Sequence, residues 1–137
     1  MGHLANRPRA RPATGSTAPF GKSLGTLAAS LAADRNLPAI WLTPLLDLPW
    51  VIEALARAQA PFLLVGGKAD QTWNSKAAHE LTTHVLEVRG ADHGLYVPGT
   101  MSDSIAVLDR VLTEIDAFLT QLQRPSDSYS PLTQRTN

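Results

Sequence analysis

Two uninterrupted apolar runs, Ala39-Ile40-Trp41-Leu42 and Phe62-Leu63-Leu64-Val65, constrain the fold of this chain more than any other feature. A strand with one wet face alternates apolar and polar residues, whereas a short run without alternation suits a strand buried on both faces. Between the two runs, residues 49–60 carry Val51, Ile52, Leu55 and Ala56 at helical spacing. Pro49 suits the first turn of that helix and Pro61 stops it. Strand, helix, strand at this scale is the unit of a parallel sheet, whose long crossovers are normally helical.

The rhythm continues on both sides. Leu24, Leu27, Ala28, Leu31 and Ala32 predict a helix over 24–35 that begins just after Ser23, with Asn36 closing it and Pro38 beyond. Residues 74–82 read as a helix, and His84–Val88 as a strand closed by Gly90. A final helix over about 101–122 places Met101, Ile105, Leu108, Leu112, Ile115, Leu119 and Leu122 at steps of four and three. That spacing also suits a coiled-coil seam, but docking on a sheet is the expected use of so short a run. The fold class expected is α/β, a short parallel sheet with flanking helices. Residues 1–19, with Arg7, Arg9 and Arg11 among prolines, and residues 124–137 read as a disordered lead and tail around one ordered unit, 20–123. Three strands at most are expected, because only Thr17-Ala18-Pro19-Phe20 leads into Gly21 and Pro19 is a poor central-strand residue. One sheet edge is then uncovered and open to self-association.

Composition excludes several functions. At 137 residues the chain is one modest domain, and twelve basic side chains offset twelve acidic ones, so no global charge draws it to nucleic acid or anionic lipid. Trp41, Trp50 and Trp73 are expected in the core or in a pocket wall rather than under stacked bases. There is no cysteine, which removes thiolate nucleophiles and cysteine-ligated zinc. The four histidines, His3, His79, His84 and His93, lack metal-ligand spacing, so neither metal nor cofactor is expected. No apolar run approaches the length of a membrane span, and no signal-peptide pattern opens the chain. A cytoplasmic location without membrane attachment is the expectation.

Functional side chains of a parallel sheet belong where its strands end. Gly21-Lys22-Ser23 resembles the close of a phosphate-binding loop, but five residues rather than four separate Gly15 from Gly21, and one of them, Pro19, has no N–H to offer. The same letters read without misfit as G-x-S-x-G over Gly21–Gly25, a sharp turn that presents a serine hydroxyl. After the Phe62 strand comes Gly66-Gly67-Lys68-Ala69-Asp70, and after the His84 strand Arg89-Gly90-Ala91-Asp92-His93-Gly94. Serine, carboxylate and histidine thus follow strands in the chain order of a hydrolase triad. A serine hydroxyl attacks only when an imidazole takes its proton, and a carboxylate holds that imidazole in the right tautomer. Asp47, beyond the strand at 39–42, is the alternative acid, and the plainer use of Asp47 or Asp70 is to cap the following helix.

The segments GKSLGTLAA (21–29), PFLLVGGKAD (61–70) and VLEVRGADHGL (85–95) carry a resemblance to the α/β-hydrolases. From Phe20 to about Leu122 the chain is similar to the C-terminal half of that fold, most of all in its small, lidless, dienelactone-hydrolase-like members. The resemblance implies a partial α/β-hydrolase fold, with the N-terminal half of the sheet absent. It implies Ser23 as nucleophile, Asp70 as acid, His93 as base and the Leu24 N–H as an oxyanion donor. The expected function is hydrolysis of a small ester, thioester or related acyl substrate, weak or nil from this chain alone. The alternatives are a non-enzymatic interaction module built on a hydrolase remnant and, further off, a nucleotide-binding loop.

Overall fold

The computed structural model of the chain describes residues 20–22 and 28–124. Four strands alternate with four helices: β1 Phe20–Lys22, α1 Ala29–Asp34, β2 Ala39–Leu42, α2 Pro49–Arg57, β3 Phe62–Gly67, α3 Ser75–Leu81, β4 Val85–Val88 and α4 Met101–Gln123. The strands form one parallel sheet in the order β1-β2-β3-β4. The α/β class and the parallel sheet are therefore as the apolar runs require. The expectation of three strands is corrected, because Phe20, Gly21 and Lys22 pair in parallel with Ile40, Trp41 and Leu42. Three residues suffice because β2 supplies a fully formed neighbour, so no long apolar lead is needed. The lead at 1–19 and the tail beyond Arg124 lie outside the described residues.

The layering follows from topology. Strands laid down in sheet order by right-handed crossovers send every connecting helix to the same face. Accordingly α1, α2 and α3 share one core, in which Ala29, Ala32, Val51, Ala54, Leu55 and Ala78 pack on Trp41 and Leu64. The last helix has no strand to reach and covers the opposite face, where Val111, Ile115 and Phe118 pack on Ile40, Leu63, Val65, Leu86 and Val88. Successive strand residues point to opposite faces. With Ile40 opposite Leu63 and Trp41 opposite Leu64, each run feeds both cores, which is why neither run could alternate.

Several boundaries and faces differ from the sequence reading. Helix α1 is described from Ala29 rather than 24, since residues 23–27 lie outside the described set. Asn36 closes it at φ 52°, the left-handed conformation that asparagine tolerates. Helix α2 ends at Arg57 rather than at 60, because Ala58 is already extended and leads the chain back towards the sheet. Its buried face holds Ala54, not Ala56. Strand β3 runs through Gly66 and Gly67 instead of ending before them. Trp41 and Trp73 are buried, but Trp50 is 43% exposed on α2.

Helix α4 begins in a capping box, Thr100 accepting from the Asp103 N–H while Asp103 accepts from the Thr100 N–H. Its docking face matches the expected line only in its second half, where Ile115, Leu119 and Leu122 belong to or pack against the sheet-side core. The line Val111, Ile115, Phe118 faces the sheet, while Met101, Ile105, Leu108 and Leu112 are each more than half exposed. Ile115→Val is therefore expected to cost about 1 kcal/mol, and Leu112→Ala to stay within about 0.5 kcal/mol, as read from urea midpoints. Equal losses would mean that the helix is rotated from this orientation. No helix among the described residues is long and apolar enough to cross a membrane.

Candidate active site

All four strands are parallel, so their carboxyl ends share one edge of the sheet. The loops after β3 and β4 meet there. The Lys68 N–H donates to the Val88 carbonyl at 2.9 Å and the Ala69 N–H to the Ala91 carbonyl at 3.0 Å. This stitching brings Asp70 against His93, with Asp70 Oδ2 2.7 Å from His93 Nδ1. The Asp70 side chain is 2% exposed and that of His93 43%, so the carboxylate is buried behind an imidazole that reaches solvent.

The carboxylate is held on both oxygens. Thr72 donates to Asp70 Oδ1 through its N–H and its hydroxyl, each at 2.8 Å. The same hydroxyl oxygen lies 3.2 Å from His93 Nδ1. Burial alone raises the carboxyl pKa, but the hydrogen bonds from His93 and Thr72 and the charge of His93 outweigh it, leaving Asp70 below its ordinary value of 3.8. An ionised carboxylate only accepts, so Nδ1 carries the hydrogen and Nε2 becomes the basic nitrogen.

The depressed pKa has a consequence for stability. The unfolded chain binds this proton more tightly than the native state, so stability from Asp70 is fully present above its ordinary pKa. It is lost as pH falls through the lower native value. A urea midpoint that declines below about pH 4, less steeply in Asp70→Asn, is the expected result; equal slopes would contradict the depressed pKa.

The loop carrying His93 is a tight, strained turn. Asp92 Oδ1 accepts from the Gly94 and Tyr96 N–H groups, the Asp92 N–H donates to the Tyr96 carbonyl, and Leu95 sits at φ 63°. Thr43, just past β2, is buried at φ 47°. A β-branched residue is rarely found there. Both outliers lie at the carboxyl edge, where strain of order 1–3 kcal/mol each is held by the surrounding structure.

The remaining sequence candidates are placed as follows. Lys22 ends β1, so Ser23 follows directly from the carboxyl end of a paired strand. Ser23 and Leu24 themselves lie outside the described residues. Gly21 and Lys22 are extended and paired with Trp41 and Leu42, not part of a loop wrapped around an anion. Asp47 is exposed in the turn before α2, whose N-cap is Leu48 without a side-chain cap. The capping use of Asp70 is also excluded, since Asn74 caps α3 by accepting from Ala77 N–H. His79 is on α3 near Glu87, and His84 packs edge-on against Phe118. No group of three metal-ligating side chains gathers among the described residues.

Sequence reasoning missed Thr72 and the pair Trp73–Glu87, in which the indole N–H donates to Glu87 at 2.8 Å. Thr72 had a signal, since Asp-x-Thr is the pattern of an aspartate that folds the next two residues around its own carboxylate. No protein-family model matches the chain, and no curated protein matches it. Fold and site together define an α/β protein with a buried aspartate holding a solvent-reaching histidine at the carboxyl edge of a parallel sheet.

Proposed function

We propose that the protein is a serine hydrolase of the α/β-hydrolase type, acting on esters, thioesters or related acyl groups through Ser23, His93 and Asp70. The observation that supports this reading is the buried Asp70 carboxylate fixing His93 Nδ1 at 2.7 Å, on a loop that leans back towards β1. Strands β1 and β4 are three spacings apart, roughly 14 Å. Yet Gly94, Leu95 and Tyr96 line one cavity with Lys22, the residue before Ser23.

In this mechanism His93 Nε2 takes the proton from the Ser23 hydroxyl as its oxygen bonds to the acyl carbon. The leaving alcohol or thiol departs with that proton. Water, deprotonated by His93, then attacks the acyl carbon, releasing the acid and returning the proton to Ser23. Asp70 stabilises the imidazolium formed in each step and stays ionised. With the Leu24 N–H as the single assigned oxyanion donor, turnover is expected to be about 10²–10³-fold below that of a two-donor site.

A second reading is favoured by the outermost strand β1 and by the exposed apolar residues of α4, which suit an interaction module or a self-associating half-sheet. Fluorophosphonate labelling of the full chain beside Ser23→Ala and His93→Ala separates the two. Labelling of the wild type alone supports the hydrolase. A cooperatively folded chain that takes no label in any version favours the interaction module.

A further inference from the structure

A groove of about 340 Å³ opens beneath the turn that carries His93. Leu42 at the end of β2, Leu95 and Tyr96 from the loop, and Ile105 and Leu108 from α4 form its apolar walls, and Lys22 supplies a cation from the end of β1. Its size falls within the range of small-ligand sites. None of these side chains takes part in the Asp70–His93–Thr72 network.

We infer that this groove binds the hydrocarbon chain of an aliphatic carboxylic acid or its acyl ester, with the carboxyl end at Lys22. The inference deepens the hydrolase reading by naming its acyl group, and the binding part of it does not require Ser23 to react.

The chemistry of the walls selects the ligand. Apolar carbon on several sides calls for a hydrocarbon rather than a sugar or a nucleotide, which would leave hydroxyls or ring nitrogens unpaired. Lys22, the single charged residue among those lining the groove, calls for a single negative or strongly polar head. An acyl chain in the groove therefore places its carboxyl carbon at the strand end from which Ser23 follows.

The loop geometry agrees. Leu95 adopts φ 63°, a conformation leucine rarely takes, while lining the groove. The turn held by Asp92 thus does two things at once, setting His93 on Asp70 and setting Leu95 in the groove wall. A ligand there also covers Ile105 and Leu108, 58% and 54% exposed in its absence.

The test is calorimetric titration of the full chain with sodium butyrate, hexanoate and octanoate. Affinity is expected to rise about fourfold per added methylene. Leu108→Trp fills the groove and should abolish the octanoate signal; Leu112→Trp, on the same helix but outside the groove, should leave it intact. Both positions are exposed, so neither variant threatens folding. Lys22→Gln should weaken octanoate but not octanol.

Affinity independent of chain length, or equal binding by wild type and Leu108→Trp, overturns the inference. Fluorophosphonate labelling is scored separately. Octanoate binding that depends on Leu108, without labelling, supports the groove and ends the hydrolase reading. Labelling without chain-length dependence does the reverse.

Discussion

Gly67→Ala is expected to destabilise the protein by about 2–3 kcal/mol, lowering the melting temperature by roughly 10 °C or more for a unit of this size. It should also separate Asp70 from His93. Gly67 does not need a left-handed backbone; the reason is close approach. A Cβ on it would stand 2.1 Å from the Ala91 carbonyl oxygen and 2.8 Å from the Ala91 Cβ. That oxygen is a backbone atom and accepts from the Ala69 N–H, so it cannot swing aside as a flexible side chain would. Relief requires moving the turn at 89–93 away from the end of β3, and His93 rides on that turn. The measurement is thermal unfolding together with the proton resonance of the His93 Nδ1–H that Asp70 holds in the wild type. An alanine variant as stable as wild type, with that resonance unchanged, would refute the close packing of these two loops. Gly66 is crowded differently, its Cβ meeting the Trp73 ring at 2.0 Å, and there the indole and its bond to Glu87 must give way.

The same glycines show what the sequence could and could not reveal. Residues 66 and 67 read as the end of a strand because glycine usually punctuates. They are instead the last two paired residues of the strand, glycine because an indole and a carbonyl press on them. Such contacts are long-range, and no local pattern encodes them. By contrast, β2 was legible to the residue from Ala39–Leu42, and β3 from its apolar start at Phe62, because burial on both faces leaves an uninterrupted run.

For α4 the period was legible and the phase only in part. Steps of four and three fit the line from Met101 to Leu122 and also the line Val111, Ile115 and Phe118, which shares Ile115 with it. Only the sheet chooses between the two lines. Strand β1 was hidden for another reason, since three residues need no pattern of their own when a neighbour supplies the ladder.

At the candidate site, Asp70 and His93 were legible as strand-end residues in the right chain order, and the structure joins them. The choice of Asp70 over Asp47 was not legible, for both follow strands and precede helices. It is decided by the strand nearest β4, since β3 pairs with β4 and carries Asp70 to His93, whereas β2 lies one strand further off.

Asp70→Asn should lower Ser23-dependent turnover by about 10⁴-fold, the scale of a wrong imidazole tautomer in a Ser-His-Asp site, while the fold persists. The direction follows from hydrogen-bond polarity. Thr72 donates twice to Oδ1, so the asparagine must keep its carbonyl oxygen there. Its NH₂ then occupies the place of Oδ2, 2.7 Å from His93 Nδ1 in the wild type. An amide NH₂ only donates, so Nδ1 must become the acceptor and the ring hydrogen moves to Nε2. An Nε2 that already carries hydrogen cannot take the proton of a serine hydroxyl, although every heavy atom stays in place. Two measurements check this together: the rate of fluorophosphonate labelling, and the ¹⁵N shifts that report which ring nitrogen of His93 is protonated. Asp47→Asn is the control, expected to leave both unchanged because Asp47 is exposed before α2. A tautomer that switches without a loss of rate would remove His93 as the base, whereas a lost rate with the tautomer unchanged would give Asp70 a role other than orienting the ring.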